Sequence, residues 1–346
     1  HFATCGGCAT QHASTALYQT WKQGIVETAL AHKGLATDVD PLIDAHGAGR
    51  RRVTFHAKRE KEKIQAGFMK HRSHRILDLD ACPILIPELG PGLDVARAFA
   101  AFVPSRSKPL DVQLTATENG IDCNIRGASA EGTDLFTEIA ELADKFSLSR
   151  VTFGRDIILE RHPPIISIDD VAVTLPPASF LQPTSDGEQV LASLVLEHLE
   201  DATHIADLYC GIGPFALRLA KHATVAAFDN DAPSVEALTN AFNHVQGLKP
   251  LTATVRDLSE DPLLPQELNK FDAAVFDPPR AGAPAQTEQL AASTINTIVA
   301  VSCDPASFAK DAATLVESGF TMDCVTPVDQ FKHTAHVELV ALFKRG

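Results

Sequence analysis

The chain has 346 residues, is 45% hydrophobic and 21% charged, and carries a formal charge of −14 with a pI near 5.4. That length leaves room for two or more domains with their own apolar cores. No apolar run reaches the about eighteen residues that mark a transmembrane helix, so no membrane association is expected. The start, His1-Phe2-Ala3-Thr4, has neither the basic and apolar segments of a secretory signal nor an initiator Met. It reads as an internal start, with more of the natural protein expected upstream. Seven cysteines, odd in number and scattered, do not suggest a disulfide framework; cytoplasmic thiol or metal chemistry fits better.

Residues 1–10 hold a small cysteine and glycine knot. Leu17, Trp21, Ile25, Val26 and Leu30 recur at roughly helical spacing and predict a helix over 12–31. Arg52–His56, Gln65–Phe68 and Arg75–Leu79 read as short strands joined by basic loops. Between Arg50 and Arg75 ten Lys and Arg face only Glu60 and Glu62. A solvated face is the common origin of such a run. Its density in an otherwise acidic chain favours a phosphate-contacting patch. A helix over 84–103 is interrupted by Pro87 and Pro91. Val112–Ala116 and Ile121–Ile125 flank Glu118-Asn119-Gly120, a hairpin signal. A helix near Leu135–Lys145 and strands near Arg150–Phe153, Ile157–Glu160 and Val171–Thr174 follow.

After Pro176-Pro177 helices and strands alternate: helix 186–199, strand 204–209, helix 214–221, strand 223–228, helix 232–246, strands 250–255 and 272–276, helix 286–293, strand 296–301 and helix 305–318. Strands near 322–328 and 335–343 close the chain. The alternation predicts a doubly wound, mostly parallel sheet. The expected divisions are 1–90, 91–175 (central α+β) and 176–346 (catalytic).

Asp207-Leu208-Tyr209-Cys210-Gly211-Ile212-Gly213 ends a strand and opens a helix, where glycines let a ligand approach the backbone. The next strand ends at Asp229, placed to bond ribose hydroxyls or to start a helix. The one after reaches Asp257, placed for an adenine amine. A dinucleotide site is the rival reading, with Ala216 standing at the third glycine. Further on, Asp277-Pro278-Pro279-Arg280 follows one strand, Cys303 ends another, and Glu338 closes His333-Thr334-Ala335-His336-Val337-Glu338.

Together these motifs resemble the RNA uracil-5-methyltransferase family over nearly the whole chain. The resemblance implies a class I methyltransferase, α/β and Rossmann-like, with an antiparallel pair closing the sheet. It implies S-adenosylmethionine held by Gln182 (in Phe180-Leu181-Gln182-Pro183-Thr184), Asp207, Tyr209, Gly211, Gly213, Asp229, Asp257 and Asp277. Cys303, in a segment similar to the family's Ser-Cys-Asn-Pro-Ala-Thr, becomes the nucleophile that adds to the uracil 6-carbon. Glu338 becomes the base that removes the 5-proton, and Asp277 orients the uracil edge. A helix beginning at Pro305 is expected to lower the thiol's pKa, and Asp304, where the family has Asn, to oppose this. Asp329 and Gln330 stand nearby without an assigned role.

Cys5-Gly6-Gly7-Cys8 and Cys82 resemble the iron–sulfur ligands of the bacterial 23S rRNA members, which implies a [4Fe-4S] cluster whose remaining cysteine would precede His1. Zinc is the alternative metal. The expected partner is RNA, 23S rRNA foremost, in the cytoplasm, and no obligate protein partner is evident. The same reaction on tRNA, and a non-catalytic iron–sulfur RNA-binding protein, are the alternatives.

Overall fold

The computed structural model describes residues 1–104, 108–128 and 135–345. Its first part runs α1 (Thr15–Ala31), β1 (Ile43–Asp44), β2 (Arg52–Glu60), β3 (Lys63–Met69), β4 (Ile76–Asp78), α2 (Gly92–Phe102), β5 (Leu110–Thr117), β6 (Gly120–Arg126), α3 (Leu135–Lys145), β7 (Leu148–Phe153), β8 (Asp156–Glu160), β9 (Ile165–Ile168) and β10 (Val171–Thr174). The second runs α4 (Ser185–His198), β11 (His204–Leu208), α5 (Ala216–Leu219), β12 (Thr224–Asp229), α6 (Ala232–Asn243), β13 (Leu251–Val255), α7 (Pro265–Leu268), β14 (Ala273–Phe276), α8 (Pro284–Ala292), β15 (Thr297–Ser302), α9 (Pro305–Glu317), β16 (Thr321–Asp329) and β17 (Glu338–Lys344).

The second part builds an eight-stranded sheet in the order β1-β16-β17-β15-β14-β11-β12-β13. β17 alone runs against the others, so the expected closing antiparallel pair is present. Successive side chains along a strand point to opposite faces, and both faces are apolar. Val225, Val275, Val299 and Val340 pack under α4 and α6. Ala274, Phe276, Ile298 and Leu339 pack under α1, α8 and α9. Burying each large apolar side chain contributes about 1.5–3 kcal/mol, which is why these helices stay on the sheet. β9 and β10 form a two-stranded hairpin packed on the first of these cores.

Strands β2 to β8 form a seven-stranded sheet in the order β4-β3-β2-β5-β6-β7-β8. Its pairs are antiparallel except β6 with β7. α2 and α3 cover it, burying Phe55, Phe99, Leu114 and Ile139. The two sheets cut the chain differently from the divisions expected at residues 90 and 175. β2 pairs with β5 across the first of them. Further upstream, α1 buries Val26 and Leu30 against the catalytic sheet, and β1 pairs with β16. Other differences from the expected elements are local. The helix after Gly213-Pro214 is one short turn, and β9, directly after Pro163-Pro164 and only four residues long, is too short for a period to register.

Candidate active site

Parallel strands deliver their carboxyl ends to one edge of a sheet. β11, β12, β14 and β15 are mutually parallel neighbours, so the residues at or just past their ends, Tyr209, Asp229, Asp277 and Cys303, share that edge. β17 runs the other way, and Leu339 pairs with Ser302, so its first residue, Glu338, arrives there as well. Val328 pairs with Glu338 and Asp44 with Asp329, adding Asp329 and Gln330. The strand order reverses between β11 and β14. Ligands of open α/β sheets bind at such a reversal, and here the glycine turn and Asp277 flank it.

On the glycine side, Tyr209, Gly211 and Gly213 all have positive φ, at 65°, 52° and 88°. A Cβ at Gly213 would run into Leu238, whereas at Gly211 no atom lies within 4 Å of its position. The turn therefore packs on α6 with one glycine and faces open space with the other. A left-handed tyrosine is a strained feature of the kind that collects at ligand sites. Asp229 accepts hydrogen bonds from Gly211 N–H and Asp231 N–H, each at 2.8 Å, so it shapes the turn; Asp231 stands at the N-cap position of α6 and accepts from Ser234 Oγ at 2.5 Å. Asp257 is exposed and accepts from Ser259 N–H and Oγ. Asp207 is 0% exposed and neither carboxylate oxygen has a hydrogen-bond partner among the described residues. Burial, then the charge of Asp277, pushes its pKa well up. As it stands, Asp207 reaches a ligand only through its field. Thr184 caps α4 by accepting from Gly187 N–H at 3.0 Å.

These features fit S-adenosylmethionine. Asp277 and Asp229 both lie within electrostatic reach of Asp207. Their polar partners are backbone N–H groups and the Gln182 amide. A sulfonium and an ammonium would supply the missing positive charge, and the open backbone at Gly211 gives room.

On the thiol side, Glu338 is 2% exposed; its Oε1 accepts from Gln330 Nε2 at 3.1 Å and its Oε2 has no partner among the described residues. Burial, then the charge of Asp277, raises the Glu338 carboxyl; burial raises Asp277 too. Gln330 also donates to Gln182 Oε1 at 2.7 Å, and Gln182 Nε2 donates to Asp277 Oδ2 at 3.4 Å. Two glutamines thus link the two carboxylates. A Cβ at Gly187 would collide with Gln330 Oε1, so α4 needs glycine there to admit the amide. Asp311 accepts from Ala283 N–H at 2.8 Å and steadies the chain after Asp277-Pro278-Pro279-Arg280.

Cys303 is half-buried beside a cavity of about 300 Å³ lined by Ile25, Ala29, His32, Pro305 and His336. Burial, then Glu338 and Asp277, push its thiol up to about 11, while Arg280 acts the other way. The expected lowering by the start of α9 is corrected here for a structural reason. Asp304 caps that helix, accepting from Ala306 N–H and Ser307 N–H at 3.0 Å each. The donors that would stabilise a thiolate are spent on Asp304.

α1 holds the loop between Asp329 and Glu338. Tyr18 Oη donates to Asp329 Oδ2 at 2.6 Å and Lys22 Nζ donates to Asp329 Oδ1 at 2.8 Å. Lys22 is 0% and Asp329 1% exposed. Lys22 Nζ also donates to the carbonyls of Phe331 and His336, and His333 N–H donates to Tyr18 Oη at 2.9 Å. The sequence reading missed Tyr18 and Lys22. The available signal was position: Tyr18, Lys22, Val26 and Leu30, four residues apart, are the buried stripe of α1, and a lysine there needs a partner.

Cys5, Cys8 and Cys82 share one neighbourhood. Burial, then the neighbouring thiols, raises Cys8, and the same influences raise Cys82. Gly7 N–H donates to Cys5 Sγ at 3.4 Å. Yet among the described residues no group of three or more His, Cys, Asp or Glu is disposed to hold a metal ion. The expected [4Fe-4S] or zinc site is thus not shown by this arrangement.

The sheet order and its ligand edge define a class I methyltransferase. The tRNA (Uracil-5-)-methyltransferase family model matches residues 141–346. An uncharacterized RNA methyltransferase of Brucella suis is 41% identical over 346 residues, covering 100% of this chain and 83% of its own length. The 23S rRNA (uracil(1939)-C(5))-methyltransferase RlmD of Klebsiella pneumoniae is 29% identical, covering 100% and 80%. A solved tRNA (uracil-54, C5)-methyltransferase of Pyrococcus abyssi, in complex with S-adenosyl-L-homocysteine, has the same fold, with a TM-score of 0.77 at 24% identity over 98% of this chain and 84% of that one. The chain belongs to the RNA (uracil-5-)-methyltransferase family and is an enzyme of that type.

Proposed function

We propose that the chain methylates the 5-carbon of a uridine in RNA through a covalent adduct at Cys303. The observation that carries this reading is the convergence of Cys303, Asp277 and Glu338, from three different strands, on one edge of the sheet. S-adenosylmethionine, when bound along the glycine turn, supplies the electrophilic methyl group. Cys303 Sγ bonds to the uracil 6-carbon, and the electron pair of the 5,6 double bond moves onto the 5-carbon and its carbonyl. The proton leaving Sγ passes to the Asp277 carboxylate, whose charge acts on the thiol. Glu338 Oε2, free of a hydrogen-bond partner among the described residues, then takes the proton of the methylated 5-carbon. The S–C bond breaks, the double bond returns, and the thiolate recovers the proton held by Asp277. The Gln182 and Gln330 amides keep the two carboxylates in place throughout. The target base has to leave its stack to reach the thiol.

For the substrate, 23S rRNA is favoured by the Cys-Gly-Gly-Cys segment and by the relative named for that RNA; the family model and the fold neighbour are named for tRNA. No step of this reading runs through a metal. Incubation with methyl-labelled S-adenosylmethionine and unmodified transcripts of each RNA, followed by digestion to nucleosides, decides both points. Label in 5-methyluridine from 23S rRNA is the expected result. Label from tRNA alone would move the substrate, and label in another nucleoside would overturn the chemistry.

A further inference from the structure

The ten cations between Arg50 and Arg75 do not form one surface. Arg51 N–H donates to the Pro183 carbonyl at 2.9 Å, and its guanidinium pairs with Glu188 at 2.6 Å and donates to the Gln182 carbonyl at 3.0 Å. Arg50 lies over the Phe331 ring, 5.3 Å from its centroid. Burial pulls Arg52 down to about 10. Arg50 and Arg51 tie the two sheets together, and Arg52 is held within the seven-stranded sheet against Thr115 and Asp122.

From that junction β2 runs outward for nine residues, about 30 Å at the usual rise of a strand, and β3 brings the chain back. The exposed cations therefore separate to opposite ends of the hairpin. Arg59, Lys61 and Lys63 are at the outer tip, interleaved with Glu60 and Glu62. There Arg59 donates to the Ala101 carbonyl at 2.8 Å and Lys58 pairs with Glu60 at 2.8 Å. Lys70, Arg72 and Arg75 are in the turn between β3 and β4, exposed beside His71 and His74, with no acid in that turn.

Backbone pairing fixes the inner turn to the active-site edge. Cys5 and Lys70 form an antiparallel bridge. Gly6 N–H donates to Met69 O at 2.9 Å, His71 N–H to Thr4 O at 3.1 Å, and Ala9 N–H to His333 O at 2.7 Å. His333 belongs to the loop that ends at Glu338. A chain with a formal charge of −14 repels a polyanion over most of its surface, so an acid-free cationic turn at this edge is where such a polymer can settle.

Resting on the reading that the substrate is RNA, we propose that Lys70, Arg72 and Arg75 hold the phosphate backbone while the target base enters at Cys303, and that the outer tip takes no part. Two charge-reversal triples test this: K70E/R72E/R75E at the inner turn and R59E/K61E/K63E at the outer tip. Both change the net charge equally, so long-range repulsion is matched and only position differs. The probe is an unmodified 23S rRNA transcript, titrated by anisotropy across a salt series. The inner triple should weaken binding by about 50-fold or more and reduce the salt slope by about 2–3, with the outer triple within about three-fold of the parent. Equal weakening by both triples, or parent-like binding by the inner one, overturns the assignment. S-adenosylmethionine affinity reports that each variant is folded. Should the inner triple fail that check, R72Q alone must still weaken binding several-fold, and parent-like binding by it overturns the proposal. If the parent itself binds no RNA, the functional reading fails instead.

Discussion

At the carboxyl edge of the catalytic sheet the acids are buried and short of partners: Asp207 and Glu338 each have a carboxylate oxygen without a hydrogen bond among the described residues. Across the loop between Asp329 and Glu338, the turn between β3 and β4 presents its charge outward, and that charge is positive. A buried polar group left unsatisfied costs about 1–3 kcal/mol, so the acids of the first region are held there at a cost in stability. The second region keeps its charge in solvent and acts by attraction. The first sets chemistry and the second sets where a polyanion lies.

The comparison can be broken first at the thiol. Cys303→Ala should reduce methylation to background while leaving S-adenosylmethionine affinity unchanged, read by label incorporation and calorimetry; methylation at even a few per cent of the parent rate would contradict the role of the thiol. Next comes the lock on the loop. Lys22→Met strands the Asp329 charge in the interior and should lower stability by about 3–5 kcal/mol, measured by denaturant unfolding. Adding Asp329→Leu should restore much of it, and a double variant as unstable as the single would show that charge pairing is not what Lys22 supplies.

A smaller effect is expected from pH. The folded carboxyl of Glu338 is raised from 4.5 to about 8, so across that window the native state holds more protons than the unfolded chain. Its contribution to stability therefore falls as pH rises. The parent should lose stability relative to Glu338→Gln between those pH values, by at least about 1 kcal/mol; parallel curves would mean that Glu338 titrates normally. The smallest effect is at Asp304. Asparagine caps a helix as well as aspartate, so Asp304→Asn should leave both stability and rate nearly unchanged, while Asp304→Ala should cost about 1 kcal/mol in thermal unfolding.

The catalytic edge was legible because the motifs of Asp277 and Cys303 each follow a parallel strand, and parallel strands gather their ends without further information. Glu338 reaches the same edge by the opposite route, as the first residue of the antiparallel β17. The thiol's electrostatics were not legible. Whether a helix start acts on sulfur depends on whether the cap has already taken its N–H groups, and Asp304 has. Nor was the fate of α1. The spacing of Leu17, Trp21 and Ile25 marked a helix, but the face that docks is Tyr18, Lys22, Val26 and Leu30, fixed by a partner loop some 300 residues away, as the Tyr18 to Asp329 bond at a separation of 311 shows. Counting charge along 50–75 merged residues that a strand of nine carries apart. For α1 the missing information was a contact between distant segments; for the thiol it was a local side-chain cap.

The central claim is the covalent step, and Glu338→Gln tests it most directly. Without the base the adduct can form and accept a methyl group but cannot lose the 5-proton. Mixed with unmodified 23S rRNA and tRNA transcripts and S-adenosylmethionine, this variant should yield a protein–RNA species that survives denaturing electrophoresis, carries the methyl label, and disappears when Cys303→Ala is added. No such species from a variant that binds both RNA and cofactor, or one that persists without Cys303, would contradict the account.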